Sequence, residues 1–495
     1  MRPLDIYEKD PSKRVTIYFE GTPLIAYEGE KISVALLANG IRWISISSEG
    51  RKRGAFAFGP ALVKINGIKN KDARKTKVKD GMRIERQTYL EYQGSVEVDK
   101  SKLPEKYVID VAIVGGGIVG IGATLELQDY LTVALIEEKG YLGGDMRRKS
   151  VPVKEFDNKE AKEVVKDLVE KFNENVKVFK GTTLLGIYRD GNLFLLSAAK
   201  GERLVEIYAK KVILATGAVD NFMLFENNEM PGVFRRDFAL ELINVWGVKP
   251  GNKIAVVGRK PEDIVPELER VGIEYIIVKN PKRVEGKESV ERIIDIEGNV
   301  YEVDAVIMSD GRRPDINPIT LVGGKIIFKN GAYVPVKSDK NEIIEGVYVA
   351  GSASSLKNHY ANYLEGRLVA RYILNELGVG VSIQELKEEF EKINEEIEEP
   401  LSQVDLSKLN LEETYICGCD VTLKSVVNVV DGGITNLQIV KRLTHLAMGF
   451  CQGRYCLFNG AVVVSKLSGI DMDKIDLPTA RPPLKPVTMK VIGNE

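Results

Sequence analysis

Cysteine and histidine are scarce in this chain. Its 495 residues hold four cysteines and two histidines, too few for a disulfide framework or a histidine-rich metal site to organise the fold. All four cysteines lie between positions 417 and 456, which confines thiol chemistry to one short region. No stretch approaches the roughly 18 to 20 consecutive apolar residues of a membrane span. The opening MRPLDIYEKD is charged where a secretory signal needs an apolar run, so a cytoplasmic location is expected. Net charge is also missing: 70 Lys and Arg against 71 Asp and Glu leave -1, which argues against nucleic acid or an anionic membrane as the main partner. In a reducing compartment, clustered cysteines read as metal ligands or redox centres. The 28% charged composition leans towards a heat-adapted source.

What is present divides the chain. Residues 1–100 carry short β-rich pieces such as RVTIYFEG and ALVKINGI between glycine and charged turns. From Tyr107 an apolar run, a glycine turn, a helical pattern through Ile118, Ile121 and Leu125, and a second apolar run give a βαβ unit and so a parallel sheet. Two later runs, ending in loops at Gly217 and Gly351, deliver further candidate cofactor-binding turns to one edge of that sheet. Between them, residues 252–280 repeat the strand, turn, helix, strand plan. The expectation is an α/β fold with two nested Rossmann-like nucleotide units: the first over 106–230 and 308–378, the second inserted at 231–307. Residues 379–410 form a helical linker in which Ile383, Leu386, Phe390, Ile393 and Ile397 make one apolar face, stopped by Pro400. The last segment, 411–495, holds the cysteines and ends in a Pro-rich arm expected to be an extended strap.

The sequence GGGIVG sets Gly115, Gly117 and Gly120 at the G-x-G-x-x-G spacing between a strand and a helix. Such glycines let a pyrophosphate sit on the helix N-terminus. Glu137 ends the next strand, 20 residues beyond Gly117, where a carboxylate accepts from ribose hydroxyls. This predicts an adenine-nucleotide site. Ser352 stands where two-domain flavoprotein reductases usually carry an Asp for the ribityl chain, so FAD and ATP (or ADP) compete as occupants. The nearby Arg147, Arg148 and Lys149 read either as neutralising extra phosphates or as a solvated basic loop.

The second glycine turn is eroded. After Gly258, positions 260 and 263 are Lys260 and Asp263, whose side chains block close approach of a pyrophosphate, and the following strand ends at Lys279 where a ribose-binding carboxylate belongs. No cysteine stands near GGDMRRKS, where a disulfide reductase carries its redox pair just past the first glycine turn and strand, so disulfide-reductase chemistry has no site. The cysteine pattern is C-x-C (Cys417, Cys419), 31 intervening residues, then C-x4-C (Cys451, Cys456). Four thiolates satisfy a [2Fe-2S] cluster or a tetrahedral zinc. Zinc sites favour C-x-x-C pairs, and neighbouring Gly418, Gly449 and Gly453 suit a cluster whose sulfides accept backbone N–H bonds. Thr422 and Thr435 are placed as helix N-caps, Leu437, Val440, Leu443 and Ala447 as an apolar stripe, and Arg454 as a partial counter-charge. His445 and His359 read as ordinary packed or surface residues.

MGFCQGRYC with its upstream C-x-C resembles the bacterioferritin-associated-ferredoxin type of [2Fe-2S] domain. The order of the whole chain resembles the α subunit of archaeal dye-linked L-proline dehydrogenases and, more distantly, that of heterotetrameric sarcosine oxidase. RGAFAFGPALVKINGI is similar to a [2Fe-2S] ferredoxin β-grasp fold, but without cysteine that domain holds no cluster. The nested units correspond to a disulfide-reductase-like architecture. The resemblance implies an electron-transfer subunit with no catalytic residue of its own, in a hetero-oligomer. A separate FAD-containing, amine-oxidase-like β subunit would oxidise proline or another secondary amine, with an FMN at the subunit boundary and an acceptor the sequence does not name. Two other readings stand beside it: an FAD-dependent NAD(P)H dehydrogenase, and a non-catalytic nucleotide- and zinc-binding scaffold.

Overall fold

A computed structural model describes residues 2–55, 61–88, 90–91, 103–398 and 405–492. The described residues form two compact units, one from within 1–95, 220–311 and 402–477, the other from within 96–219, 312–401 and 478–495.

In the first unit the N-terminal segment builds a five-stranded mixed sheet in the order Thr22–Tyr27, Arg14–Phe19, Arg83–Arg86, Leu62–Ile65, Ile68–Asp72, with the central pair parallel. The helix Ile32–Ala38 is buried at every position, as a sequence that is apolar except for Ser33 demands. It shares a core with Leu240, Ile243, Ile254 and Val256 of the inserted nucleotide unit. That unit is a four-stranded parallel sheet: Val233–Arg235, Ala305–Met308, Lys253–Val257 and Glu274–Val278. Residues 405–477 add a two-stranded ribbon, Tyr415–Cys417 with Val421–Thr422, and the helices Leu423–Asp431, Leu437–Thr444 and Cys456–Ser468.

The second unit holds the larger parallel sheet, ordered Val176–Lys180, Val133–Glu137, Glu105–Val114, Arg203–Leu214, Val347–Val349. Strand Arg203–Leu214 is long enough to join this sheet and also an antiparallel meander with Leu193–Lys200 and Thr182–Asp190. The helix Ile118–Leu127 follows the first glycine turn, and the helix His359–Glu376 packs against it so closely that a Cβ on Gly366 would lie 2.3 Å from Val119 O. The α/β architecture expected from the sequence is borne out.

Three local expectations are corrected. The linker helix runs only Gln384–Ile393, burying Leu386 and Phe390, and it ends well before Pro400, which lies outside the described residues. Asn436, not Thr435, caps the helix Leu437–Thr444, its Oδ1 accepting from the N–H groups of Gln438 and Ile439. Leu443 is 56% exposed, because the helix stops at Thr444 and a left-handed His445 turns Leu446 inward in its place. The Pro-rich arm runs along the second unit, where Leu484 N donates to Leu185 O and Ala480 N to Thr320 Oγ1.

A buried carboxylate ties this second unit together. Glu365 accepts from Lys357 Nζ and Lys337 Nζ, each at 3.1 Å, Asn341 Nδ2 at 2.8 Å and Gly351 N at 2.7 Å. Burial pushes its carboxyl pKa up, but the two lysines and the hydrogen bonds outweigh this and hold it below the usual range. Because the folded value is depressed, its contribution is full above the unfolded pKa of about 4.3 and is lost as pH falls through the folded value. Replacing Glu365 with Gln strands the buried Lys357 ammonium. The expected cost is about 3 kcal/mol, read as an earlier thermal transition at pH 7, with the gap to wild type closing in acid.

Candidate functional site

Two sites emerge, one in each unit. At the nucleotide turn, Gly115 has φ +116°, and a Cβ there would lie 2.2 Å from Ala215 O. A Cβ on Gly120 would lie 2.0 Å from Gly115 O. Both glycines are forced by packing. Gly117 differs: the nearest atom to a Cβ there is Gly144 Cα at 3.9 Å, so the turn leaves open space at the start of the helix Ile118–Leu127. That is the space a phosphate needs. Gly217, with φ +73°, also faces open space, and the neighbouring Thr216 Oγ1 is buried with no hydrogen-bond partner. At Gly351 a Cβ would meet Val119 Cγ2 at 2.2 Å, so packing forces this glycine as it does Gly115 and Gly120.

Glu137 is buried at the end of its strand, Oε2 accepting from Gly116 N at 2.8 Å and Oε1 from Lys139 N at 2.6 Å. Burial raises its pKa in spite of those two bonds. Each oxygen keeps a further lone pair for a hydroxyl. Ser352, where an Asp was absent, accepts from Asn362 Nδ2 at 3.1 Å. The basic loop is neither free nor simply solvated. Asp145 draws in Arg148 at 3.3 Å, Lys149 at 3.7 Å, Arg312 at 3.2 Å and His359 Nε2 at 3.7 Å. Sequence spacing gave no sign that Arg312 and His359, so distant in the chain, would join this group. The open cradle and its cationic rim fit a nucleotide.

The second turn does not. Arg259 folds back on Asp310, Nε to Oδ1 at 2.7 Å and Nη2 to Oδ2 at 2.9 Å, beside Gly258. The eroded motif predicts Lys260 and Asp263 as obstacles; Arg259, which the sequence reading did not single out, makes the carboxylate pair at this turn.

All four cysteines come together. Cys417 ends the strand Tyr415–Cys417 and is buried; Cys456 opens the helix Cys456–Ser468 and is buried; Cys419 and Cys451 are half-exposed. Their thiols interact in a chain from Cys419 to Cys417 to Cys456 to Cys451. The hydrogen bond from Cys419 favours the Cys417 thiolate, but the contact with Cys456 and burial outweigh it and push that thiol well up. Cys456 is raised likewise: its bond to Cys417 lowers it, and the contact with Cys451 together with burial prevails. Among the described residues no three or more His, Cys, Asp or Glu side chains are arranged around one metal ion, whereas the thiol contacts run pairwise. A two-iron cluster takes its sulfurs as pairs, two per iron, so the donor set and its pairing fit that group. The segment carrying Cys451 is held in unusual backbone geometry, with His445, Ala447 and Gln452 all left-handed. Arg454 lies half-buried between Cys451 and Cys456. Sequence reasoning missed Arg235, whose guanidinium lies 3.7 Å from the ring centroid of Tyr455.

With both sites defined, comparison is direct. The chain matches, over 99% of its length and 99% of the other, the crystal structure of L-proline dehydrogenase from P. horikoshii, at 57% identity and a TM-score of 0.95. The chain belongs to the L-proline dehydrogenase family. Family models match in three places: a 2Fe-2S iron-sulfur cluster binding domain over 12–89, pyridine nucleotide-disulphide oxidoreductase over 109–258, and the sarcosine oxidase A3 domain over 412–495. The first span contains no cysteine, so what matches there is the fold; all four cysteines lie in the third. Sarcosine oxidase subunit alpha from Rhizobium meliloti is 26% identical over 80% of this chain, and that from Corynebacterium sp. strain U-96 is 28% identical over 63%. The chain spans 43% and 33% of the length of these two relatives.

Burial orders the reactivity of the metal-free thiols. A mass-resolved alkylation time course at pH 8 should label Cys419 and Cys451 first, with Cys417 and Cys456 slower by tenfold or more. Equal rates at all four would contradict the buried pair.

Proposed function

We propose that this chain is the electron-transfer α subunit of a flavin-dependent L-proline dehydrogenase complex. The observation that carries the reading is the convergence of four thiols from two distant segments, in a chain whose own second nucleotide turn is closed by Arg259 and Asp310. Cys417, Cys419, Cys451 and Cys456 would hold a [2Fe-2S] cluster, and a cluster bound there supplies one-electron chemistry. The helix Cys456–Ser468 starts at one ligand, so its positive end would offset part of the negative charge that a bound cluster brings there.

In this reading Gly115, Gly117, Gly120, Gly217, Gly351 and Glu137 hold an adenine nucleotide. Ser352 in place of an acid, and three cationic side chains gathered on Asp145, favour the more highly charged ATP over FAD. The reading includes an FAD-containing, amine-oxidase-like partner in a hetero-oligomer and an FMN at its boundary, supported by family membership. Proline as substrate rests on the same support. Among the described residues no helix is long and apolar enough to cross a membrane. A self-sufficient NAD(P)H dehydrogenase would need the second turn open to pyrophosphate, which Arg259 opposes.

The purified chain should contain iron and acid-labile sulfide, with a broad visible absorption that replacing Cys451 or Cys456 by Ser abolishes. A colourless preparation holding only zinc would favour the scaffold reading and end this one. Nucleotide released by denaturation should elute as ATP or ADP on chromatography, and finding FAD would reverse that assignment. Alone, the chain should reduce no dye with proline, NADH or NADPH.

A further inference from the structure

The N-terminal domain matches a cluster-binding fold yet has no cysteine, and its loop 48–53 reaches the C-x-C pair of another segment in the same unit. Asp420 follows Cys419 directly and is left-handed, φ +62°. Both oxygens of its carboxylate are held from this loop. Oδ1 pairs with Arg53 Nη2, and Oδ2 accepts from Ser48 N at 3.1 Å and Ser48 Oγ at 2.5 Å. The Arg53 and Asp420 side chains are 9% and 8% exposed.

On the other side of the pair, Tyr415 stands two residues before Cys417. Its ring receives the guanidinium groups of Arg51 at 4.7 Å and Arg53 at 5.4 Å from its centroid, and its hydroxyl donates to Glu49 Oε2 at 2.8 Å. The loop therefore grips the C-x-C segment on both flanks. One donor in this grip is left over: Arg53 Nη1 is buried with no hydrogen-bond partner. An unpaired buried guanidinium N–H is costly unless an acceptor completes it, and Cys419 is the chain neighbour of the carboxylate that Arg53 already holds.

We propose that Arg53 positions the Cys417 and Cys419 half of the sulfur site through Asp420 and donates its remaining hydrogen bond to sulfur there when the cluster is bound. The hydrogen bond and positive charge would favour the reduced, more negative state of the group, as outer hydrogen bonds do at metal sites generally. This rests on the cluster reading given above. Arg53 touches no substrate; it is a positioning residue.

The test uses the full chain as purified and the variants Arg53→Gln, Arg53→Lys, Asp420→Asn and Ser48→Ala. Redox titration followed by optical and EPR spectra should show Arg53→Gln at a more negative midpoint potential with an altered reduced-state spectrum at retained iron and sulfide. Arg53→Lys, which keeps the charge and loses the fork, should fall between that variant and wild type. Wild-type potential and spectrum in a fully loaded Arg53→Gln chain would overturn the proposal; a water bridging Nη1 to the equally unpartnered Glu229 Oε2 would give that result. Should Arg53→Gln fail to fold, Asp420→Asn and Ser48→Ala carry the same expectation, with a smaller shift. Alkylation gives a readout independent of the cluster. In metal-free chain Cys419 should react several-fold faster in Arg53→Gln or Asp420→Asn than in wild type, with Cys451 unchanged, and identical rates would overturn the positioning role. Absence of iron and sulfide from wild type would sink the cluster reading, while the alkylation result still decides whether Arg53 positions Cys419.

Discussion

A buried sulfur cannot stay anionic without a cation beside it. Cys417 and Cys456 are both buried; burial with the Cys456 contact raises the Cys417 thiol, and burial with the Cys451 contact raises that of Cys456. Metal-free, these side chains are neutral and weakly reactive. In the proposed reading a cationic centre would turn the same crowding into a ligand set, because close sulfurs are unfavourable as free thiolates and favourable as metal ligands. The surrounding fold follows from that constraint. A helix begins at Cys456, and three left-handed residues aim the segment carrying Cys451.

The two nucleotide turns show how one supersecondary plan keeps or loses its ligand. Both place a positive-φ glycine at the end of a strand, Gly115 at +116° and Gly258 at +111°, and in both a Cβ would strike the neighbouring strand's exit. What separates them is the residue that follows. At the first turn the space beyond Gly117 stays open and the cations gather around Asp145. At the second, Arg259 satisfies its charge internally on Asp310, so an entering phosphate would have to displace an ion pair already made. The fold survives because its glycine is required by strand packing, independent of any cofactor.

The sequence made the α/β class and the nested nucleotide units legible, since glycine turns and apolar runs act locally. It was less informative wherever two adjacent residues compete for one role. Thr435 and Asn436 are both capable caps, and the choice depends on which of them leaves the helical backbone first. Leu443 fits the apolar period, but a period says nothing about where a helix stops. Arg312, His359 and Arg53 could not be read at all, because their partners are far away in the chain and no spacing rule joins them. Charged residues of this kind look like solvated surface until the fold pairs them.

The ferredoxin-like domain sharpens what a family match means here. Residues 12–89 fit a cluster-binding model although no cysteine is present, whereas the sulfurs belong to a helical segment more than three hundred residues later. A β-grasp sheet of this size has a small core of its own, and its fully buried helix Ile32–Ala38 is covered partly by the inserted nucleotide unit. Such a domain is retained for the surfaces it supports. The loop that meets Tyr415 and Asp420 is one of them. A domain without ligands can still govern a cluster if it controls the backbone and the charge on either side of the sulfurs, and the contacts of Arg51, Arg53 and Ser48 lie at those two places.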